Sequence, residues 1–180
     1  LSLFRNLDWE VLGVEPSKNS SQNALKREIP TLNTTFPTKN LRNNYFDVVI
    51  INHVLEHIEN PLEFLSQIDK VLKNDGIVLI DVPNFGSLSA KIKSANWQYI
   101  LPKEHLWHFT PISLTNILEK SGFGVIYKET NSGIWDYGNP FQELIQSFLG
   151  FKKRFVNNLL TVLPTYLISK IGYGTGLTIV

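Results

Sequence analysis

The sequence predicts an α/β fold with a mainly parallel sheet. Two short apolar runs, Asp47–Ile51 and Ile77–Val82, have the length and composition of strands buried on both faces. Between them, Leu62–Leu72 carries apolar residues at helical spacing. Because strands that alternate with helices are joined by crossover connections, neighbouring strands run parallel. We expect a single domain over residues 1–180.

The composition excludes several classes of function. Of 180 residues, 43% are apolar and 18% are charged, and the net charge of +1 gives no sign of a nucleic-acid partner. The absence of cysteine excludes disulfides, thiolate nucleophiles and thiolate metal sites. No signal peptide and no uninterrupted apolar run of about 20 residues is present. We therefore expect a cytoplasmic protein without a transmembrane span.

The remaining elements follow from local signals. Thr110 and Pro111 predict the start of a helix that Gly122 ends. Gly76 is expected to cap the predicted helix Leu62–Leu72 in the left-handed conformation. Phe85–Phe109 is predicted to be a long polar and aromatic loop, and loops of this length usually have a functional role. Further strands are expected at Trp9–Val14, Thr31–Asn33, Phe123–Glu129 and Leu177–Val180, and further helices at Leu3–Leu7, Ser20–Arg27, from Asn139–Pro140, and within Phe155–Ile171, broken at Pro164.

An acidic residue, Glu15, follows the first predicted strand. In dinucleotide-type folds an acid at this place binds the two hydroxyls of a ribose, because a carboxylate accepts two hydrogen bonds. The alternative is an acid in a surface turn. A glycine-rich loop normally lies about 20 residues earlier. That position falls before Leu1, in a sequence that contains no methionine, so we expect the loop to lie upstream.

The segment His53-Val54-Leu55-Glu56-His57 matches the H-x-x-E-H pattern of inverted zinc peptidases. Two histidines four residues apart on a helix could bind zinc. Here they emerge directly from a buried strand, and Pro61 ends the segment. We therefore expect no metal, and favour polar residues that line a ligand crevice or cap the strand.

Two further histidines, His105 and His108, lie in the long loop beside aromatic residues. Histidine can act as a general base near neutral pH. A packed loop whose imidazoles only satisfy backbone groups is an equally good interpretation. Trp97, Tyr99 and Trp107 could line a substrate pocket or form a small core of the loop itself.

The motifs together resemble a known family. G-V-E-P-S at Gly13–Ser17, F-D-V-V-I-I-N-H-V-L-E-H-I-E-N-P at Phe46–Pro61 and L-K-N-D-G-I-V-L-I-D-V-P-N at Leu72–Asn84 look like the class I S-adenosylmethionine-dependent methyltransferases. The resemblance covers nearly the whole chain. It is closest to a large bacterial group in which P-x-E-H-L-x-H-F precedes a helix that ends in S-G-F.

The resemblance implies a Rossmann-like sheet of order 3-2-1-4-5-7-6 with an antiparallel seventh strand. It also implies that the first strand and the glycine loop precede Leu1. The acid usually found near the adenine after the third strand is replaced here by Asn33-Thr34-Thr35-Phe36. The implied cofactor is S-adenosylmethionine. Its predicted binding residues are Glu15 and Pro16 at the ribose and Asn52, His53 and Leu55 at the methionine end, and the candidate bases are His57, His105 and His108.

The predicted function is methyl transfer to a small-molecule or glycan-type acceptor. The main alternative is a non-catalytic methyltransferase-like module that binds a partner, and a nicotinamide-dependent oxidoreductase is a weaker third.

A helical insertion at about 130–176 carries more apolar residues than packing on the sheet requires. We favour a lid over the acceptor pocket. A homodimer face or a peripheral membrane contact, with Lys152–Arg154 near anionic head groups, is the alternative.

Overall fold

The computed structural model describes residues 1–131 and 163–180. The chain forms two compact units, Leu1–Arg42 and Asn43–Val180. The predicted helix that starts at Asn139 and most of the predicted segment Phe155–Ile171 lie outside the described residues. The same holds for the basic run Lys152–Arg154, so the lid, dimer and membrane hypotheses remain predictions.

The first unit contains two short helices and a two-stranded parallel sheet. Its elements are α1 (Ser2–Arg5), β1 (Gly13–Val14), α2 (Lys18–Lys26) and β2 (Thr31–Leu32). The predicted strand Trp9–Val14 is thus shorter than expected, because β2 pairs with two residues and is preceded by Pro30, which cannot donate to a ladder. The N-cap of α2 is Ser17, whose hydroxyl accepts the Ser20 N–H at 3.3 Å.

The second unit is built on a four-stranded sheet. Its strands are β3 (Phe46–Asn52), β4 (Leu72–Pro83), β5 (Lys128–Asn131) and β6 (Gly176–Ile179), in the order β3-β4-β6-β5. The pair β3–β4 is parallel, and β6 runs antiparallel to both of its neighbours. The predicted α/β class with a mainly parallel sheet and an antiparallel last strand is confirmed. The order also matches the 4-5-7-6 part of the sheet that the resemblance implies.

Helices α3 (Pro61–Val71), α4 (Leu88–Lys93) and α5 (Pro111–Lys120) complete the second unit. The predicted start of α5 is confirmed. Thr110 forms a capping box in which its hydroxyl accepts the Ser113 N–H and the Ser113 hydroxyl accepts the Thr110 N–H. Gly122, just after the helix, takes a φ of +90°. The core is formed by apolar side chains of helices and strands, among them Phe64, Leu65, Ile68, Val71, Val78, Ile80, Val82, Leu114, Leu118, Leu177 and Ile179.

The junction between α3 and β4 differs from the prediction. The helix ends at Val71, and Leu72 already has extended backbone angles, so Gly76 lies within β4 and has no positive φ. A Cβ on Gly76 would lie 2.9 Å from both the Leu72 side chain and the Lys73 carbonyl oxygen. Glycine is therefore required for close approach of the chain and not for a left-handed cap. Leu62, one of the apolar residues whose helical spacing predicted this helix, is exposed.

The prediction that β3 is buried on both faces is wrong for the described residues. Ile51 is 4% exposed, whereas Ile50 is 38% exposed and Val48 and Val49 are half-buried. Among the described residues β3 pairs with β4 alone. Its continuous apolar run therefore marks a strand whose second face is only partly covered.

The segment Phe85–Phe109 is not a plain loop, because it contains α4 and a 3₁₀ turn at Ser94–Asn96. The segment begins after Asn84, which has no exposed surface. The Asn84 side-chain amide donates to the Gly174 carbonyl at 2.7 Å, and its oxygen accepts the Gly86 N–H at 2.9 Å. Asn84 thus joins the end of β4 to the start of β6.

The described end of the chain carries a helical segment, residues 163–168, that continues into a wider turn, Ser169–Tyr173. The Thr130 hydroxyl connects this turn to β5, since it donates to the Ser169 carbonyl at 2.7 Å and accepts the Gly174 N–H at 3.1 Å. Across the two described ranges, no helix has the length and apolar character needed to span a membrane.

We predict that Asn84→Ala destabilises the protein by about 1–3 kcal/mol, because it leaves the buried Gly174 carbonyl and the half-buried Gly86 N–H without these partners. The free energy of unfolding, measured with urea, checks this. Asn116→Ala on the exposed face of α5 is the control and should change it by less than about 0.5 kcal/mol. Equal stabilities of the two variants would contradict the role given to Asn84.

Candidate active site

The chain turns sharply where β3 ends. His53 adopts a φ of +51°, which is uncommon for a residue other than glycine and marks backbone strain. Its N–H donates to the Asp81 carbonyl at 2.9 Å, which keeps the turn next to β4. The 3₁₀ turn Leu55–His57 follows. Polar side chains are thereby held at the carboxyl end of two parallel strands, where open α/β sheets bind ligands.

The loop before α5 is fastened to this turn by backbone hydrogen bonds. The Glu56 carbonyl accepts the N–H groups of Leu106 and Trp107 at 2.8 and 3.1 Å. The Trp107 indole N–H donates to the Ile58 carbonyl at 2.9 Å. Two segments far apart in sequence therefore form one surface at the end of the sheet.

This contact brings the three predicted histidines together. The ring centroids of His57 and His105 are 4.7 Å apart, and those of His105 and His108 are 6.4 Å apart. Nδ1 of His57 lies 2.8 Å from the Glu104 carbonyl, and Nδ1 of His105 lies 2.8 Å from the Tyr99 carbonyl. Because a carbonyl only accepts, both Nδ1 atoms carry the proton, and in the neutral rings Nε2 has the free lone pair.

A carboxylate oxygen of Glu56 lies within 4.8 Å of a ring nitrogen of both His57 and His105, and Glu56 is 1% exposed. One of its oxygens is 3.2 Å from Nδ1 of His53. The other oxygen, Oε2, is buried and has no hydrogen-bond partner. A buried carboxylate oxygen without a partner is unusual in a native structure and calls for an explanation.

His108 is half-buried and has a polar atom without a partner. Its Nε2 is buried without a hydrogen-bond partner, and its ring packs 5.3 Å from that of Phe85. Burial lowers the pKa of His108, and the neighbouring charge of His105 lowers it further. His108 is therefore neutral at neutral pH.

Asp81 lies on β4 directly opposite Asn52 on β3. Burial raises the pKa of Asp81, the positive charge of His53 lowers it, and the negative charge of Glu56 raises it again. The strand end thus carries two carboxyl groups, Asp81 and Glu56, in addition to the histidines.

The predicted cofactor residues of the second unit lie at the same strand end. Asn52 and His53 have exposed side chains at this strand end, and Nδ1 of His53 lies 3.2 Å from the Glu56 carboxylate. Leu55 has no exposed surface and belongs to the core. The residues present thus fit the polar methionine end of S-adenosylmethionine, with Leu55 supporting the turn from below.

Glu15 and Pro16 lie in the first unit, just after β1. Glu15 is half-buried, and its carboxylate accepts the Ser17 N–H at 2.7 Å. The Asn33 side chain donates to the carbonyls of Glu15 and Pro16 at 2.9 and 3.0 Å. A carboxylate has about four acceptor positions, so the turn contact leaves capacity for ribose hydroxyls. Asn33 fixes the shape of this turn where the resemblance implied an acid nearby.

The H-x-x-E-H segment is not a helix that presents two histidines on one face. It turns at His53 and forms a single 3₁₀ turn. Within the described residues, the group that could hold a metal ion consists of Glu56, His57 and His105, and does not include His53. The zinc pattern in the sequence therefore does not form the pair of ligands that its spacing suggests.

Sequence reasoning missed three residues of this region. The sequence gave no sign that Glu56 is buried, because an acidic residue close to two histidines is expected to be exposed to solvent. Asp81 follows four apolar residues of β4, and an acid at that point of a buried strand could have indicated a site. Asn84 looked like a turn residue after Pro83.

Residues 1–128 match a family model described as a methyltransferase domain. A ubiquinone biosynthesis O-methyltransferase of Dinoroseobacter shibae is 32% identical over 108 residues, which are 57% of this chain and 44% of that protein. The chain spans less than half the length of the curated relatives that it matches, 44% and 40%.

Two solved structures share the fold. A SAM-dependent methyltransferase of Archaeoglobus fulgidus is 20% identical with a TM-score of 0.65, over 99% of this chain and 78% of that one. A SAM-dependent methyltransferase of Thermotoga maritima, described as a possible histamine N-methyltransferase, is 17% identical with a TM-score of 0.63, over 94% and 70%. At these identities the likeness shows the Rossmann-like fold.

We predict that His108 makes stability depend on pH. Since its pKa in the folded protein is lowered from 6.5, the unfolded chain binds more protons below that pH, and acidification favours unfolding. The stability contributed by neutral His108 is present above about pH 6.5 and is lost as the pH falls. The difference in unfolding free energy between wild type and His108→Gln, measured from pH 7.5 to about 5, should shrink on acidification. A constant difference would contradict a lowered pKa.

Proposed function

The chain belongs to the methyltransferase domain family, and we propose that it transfers a methyl group from S-adenosylmethionine to a small-molecule or glycan-type acceptor. The matched region, residues 1–128, includes both predicted cofactor-binding segments and the three histidines. The observation that carries the proposal is the cluster of His57, His105 and His108 at the carboxyl end of β3 and β4.

The proposed cofactor supplies a methyl group on a cationic sulfur. In the first unit, Glu15 would accept hydrogen bonds from the ribose hydroxyls, with Pro16 shaping the turn. In the second unit, Asn52 and His53 would contact the methionine end. The rest of the work is positioning, because a methyl group is transferred in line and alignment supplies much of the rate.

An oxygen or nitrogen acceptor must lose a proton as it is methylated. His57 is the exposed member of the cluster. Its Nδ1 is held by the Glu104 carbonyl, so the lone pair of Nε2 is oriented to take that proton. His105 is buried against it and fixes its position. The exposed Trp107 and the half-buried Tyr99 would form the aromatic wall of the acceptor site.

The alternative of a non-catalytic module that binds a partner makes a different prediction. Such a module would bind S-adenosylmethionine weakly or not at all, and would not need oriented histidines. The tautomers fixed by two backbone carbonyls favour the enzyme. We further propose a cytoplasmic location. For the segment of about 130–176 we propose a lid over the acceptor pocket, with a homodimer face or a peripheral membrane contact as the alternative.

The proposed function is tested with methyl-labelled S-adenosylmethionine and a panel of phenols, carboxylic acids, amines and glycans. We expect label to be transferred to at least one acceptor class, and His57→Gln to lower kcat about 10²–10⁴-fold, the usual contribution of a general base. Glu59→Gln, an exposed neighbour, is the control. Binding of the cofactor without any label transfer would favour the non-catalytic module.

We also predict that Glu15→Ala weakens S-adenosylmethionine binding by about 1.5–3 kcal/mol, because hydrogen bonds to a charged group are lost. Calorimetric titration of the protein with S-adenosylmethionine measures this. Glu10→Ala, an exposed acid before β1, is the matched control. An unchanged affinity of the Glu15→Ala variant would exclude Glu15 from the ribose site.

A further inference from the structure

We propose that Glu56, His57 and His105 form a binding site for one divalent transition-metal cation, with Zn²⁺ as the representative ion. One carboxylate oxygen and one ring nitrogen from each histidine lie within 4.8 Å of one another. Two imidazoles and one carboxylate are a ligand set that such ions accept, with further coordination positions left open. A hard cation such as Mg²⁺ would prefer oxygen ligands.

The orientation of both histidines supports this proposal. Histidines that bind a metal through one nitrogen almost always donate the other N–H to a carbonyl or carboxylate. His57 does so to the Glu104 carbonyl and His105 to the Tyr99 carbonyl, both at 2.8 Å. The Nε2 lone pairs are therefore the ones available for coordination.

The third ligand gives an independent observation. Glu56 is 1% exposed, and its Oε2 atom is buried without a hydrogen-bond partner. Its other oxygen is held by Nδ1 of His53 at 3.2 Å, which fixes the carboxylate plane. A bound cation would give Oε2 the partner that it lacks.

The geometry needs a small adjustment to hold the ion. At metal–ligand distances of about 2.0–2.2 Å, tetrahedral ligands are about 3.3–3.6 Å apart. Atoms spread over as much as 4.8 Å must therefore move closer by rotation of side chains. His57 is exposed and can move most easily, whereas Glu56 and His105 are buried and set the position of the site.

The site differs from the zinc pattern that the sequence suggested. That pattern pairs His53 with His57, whereas here His53 supports the carboxylate and His105 comes from the loop before α5. The expectation that no metal is bound rested on the short turn between His53 and His57. The contact between the turn and the loop supplies the ligand that the turn lacks.

A cation here would lie beside the proposed acceptor site. Because the ion would occupy the Nε2 lone pair of His57, His57 would then act as a ligand and not as the base. The ion would instead lower the pKa of a coordinated acceptor hydroxyl, which would release its proton to solvent. This consequence rests on the proposed function, whereas metal binding does not. The test therefore uses the ion alone, without S-adenosylmethionine or acceptor.

The test is calorimetric titration of the full chain, first freed of metal with chelator, with ZnCl₂, and visible absorption with CoCl₂. We expect one ion per chain and a Co²⁺ spectrum typical of low coordination number. Glu56→Gln, His57→Asn and His105→Asn should each lower the affinity at least about 10-fold, because loss even of outer-shell partners costs that much. Glu59→Gln and His108→Gln should bind as wild type does.

Thermal unfolding of each variant comes first, since Glu56 and His105 are buried. If the variants at the buried residues Glu56 and His105 do not fold, the comparison of wild type with His57→Asn tests the proposal. No binding by wild type, or equal binding by wild type and His57→Asn, would overturn the proposal. Binding without any methyl transfer would leave the metal site in place and overturn only the proposed function.

Discussion

The candidate site depends on one backbone acceptor, the carbonyl of Glu56. It receives two N–H groups from the loop before α5, those of Leu106 and Trp107. Without these bonds the turn after β3 and the loop would be separate surface segments, each with exposed polar groups. With them, His57 and His105 are brought to a centroid distance of 4.7 Å. The bonds also anchor Glu104, whose carbonyl fixes the tautomer of His57.

Much of the fold could be predicted from the sequence because its signals are local. The cap formed by Thr110, the left-handed Gly122 and the apolar runs of β3 and β4 each act within a few residues. The end of α3 was predicted wrongly for a tertiary reason. Pairing with β3 draws Leu72 into the sheet, and Gly76 then serves close approach, which a capping signal cannot distinguish.

The site was predicted in its members but not in its arrangement. His57, His105 and His108 could be named from composition, since few other residues in those segments titrate near neutral pH. Their proximity depends on non-local hydrogen bonds that no periodicity encodes. The burial of Glu56 is equally non-local, because the loop that covers it lies in another part of the sequence. Whether Asn52, Glu15 and the histidines act as predicted is a question of ligands and remains a proposal.

The distribution of unsatisfied polar atoms supports a binding role for this surface. Five buried side-chain polar atoms in the described part of the chain have no hydrogen-bond partner. Four of them belong to the turn after β3 and the segment Phe85–Phe109: Glu56 Oε2, Ser89 Oγ, Trp97 Nε1 and His108 Nε2. Each such atom costs about 1–3 kcal/mol. Selection for stability alone would favour apolar side chains at these positions, because burying a polar group without a partner costs free energy that burying an apolar group does not. Groups of this kind are tolerated where a ligand completes their bonding. The unpaired Glu56 Oε2 and His108 Nε2 beside the oriented histidines therefore favour a polar or charged ligand at this surface.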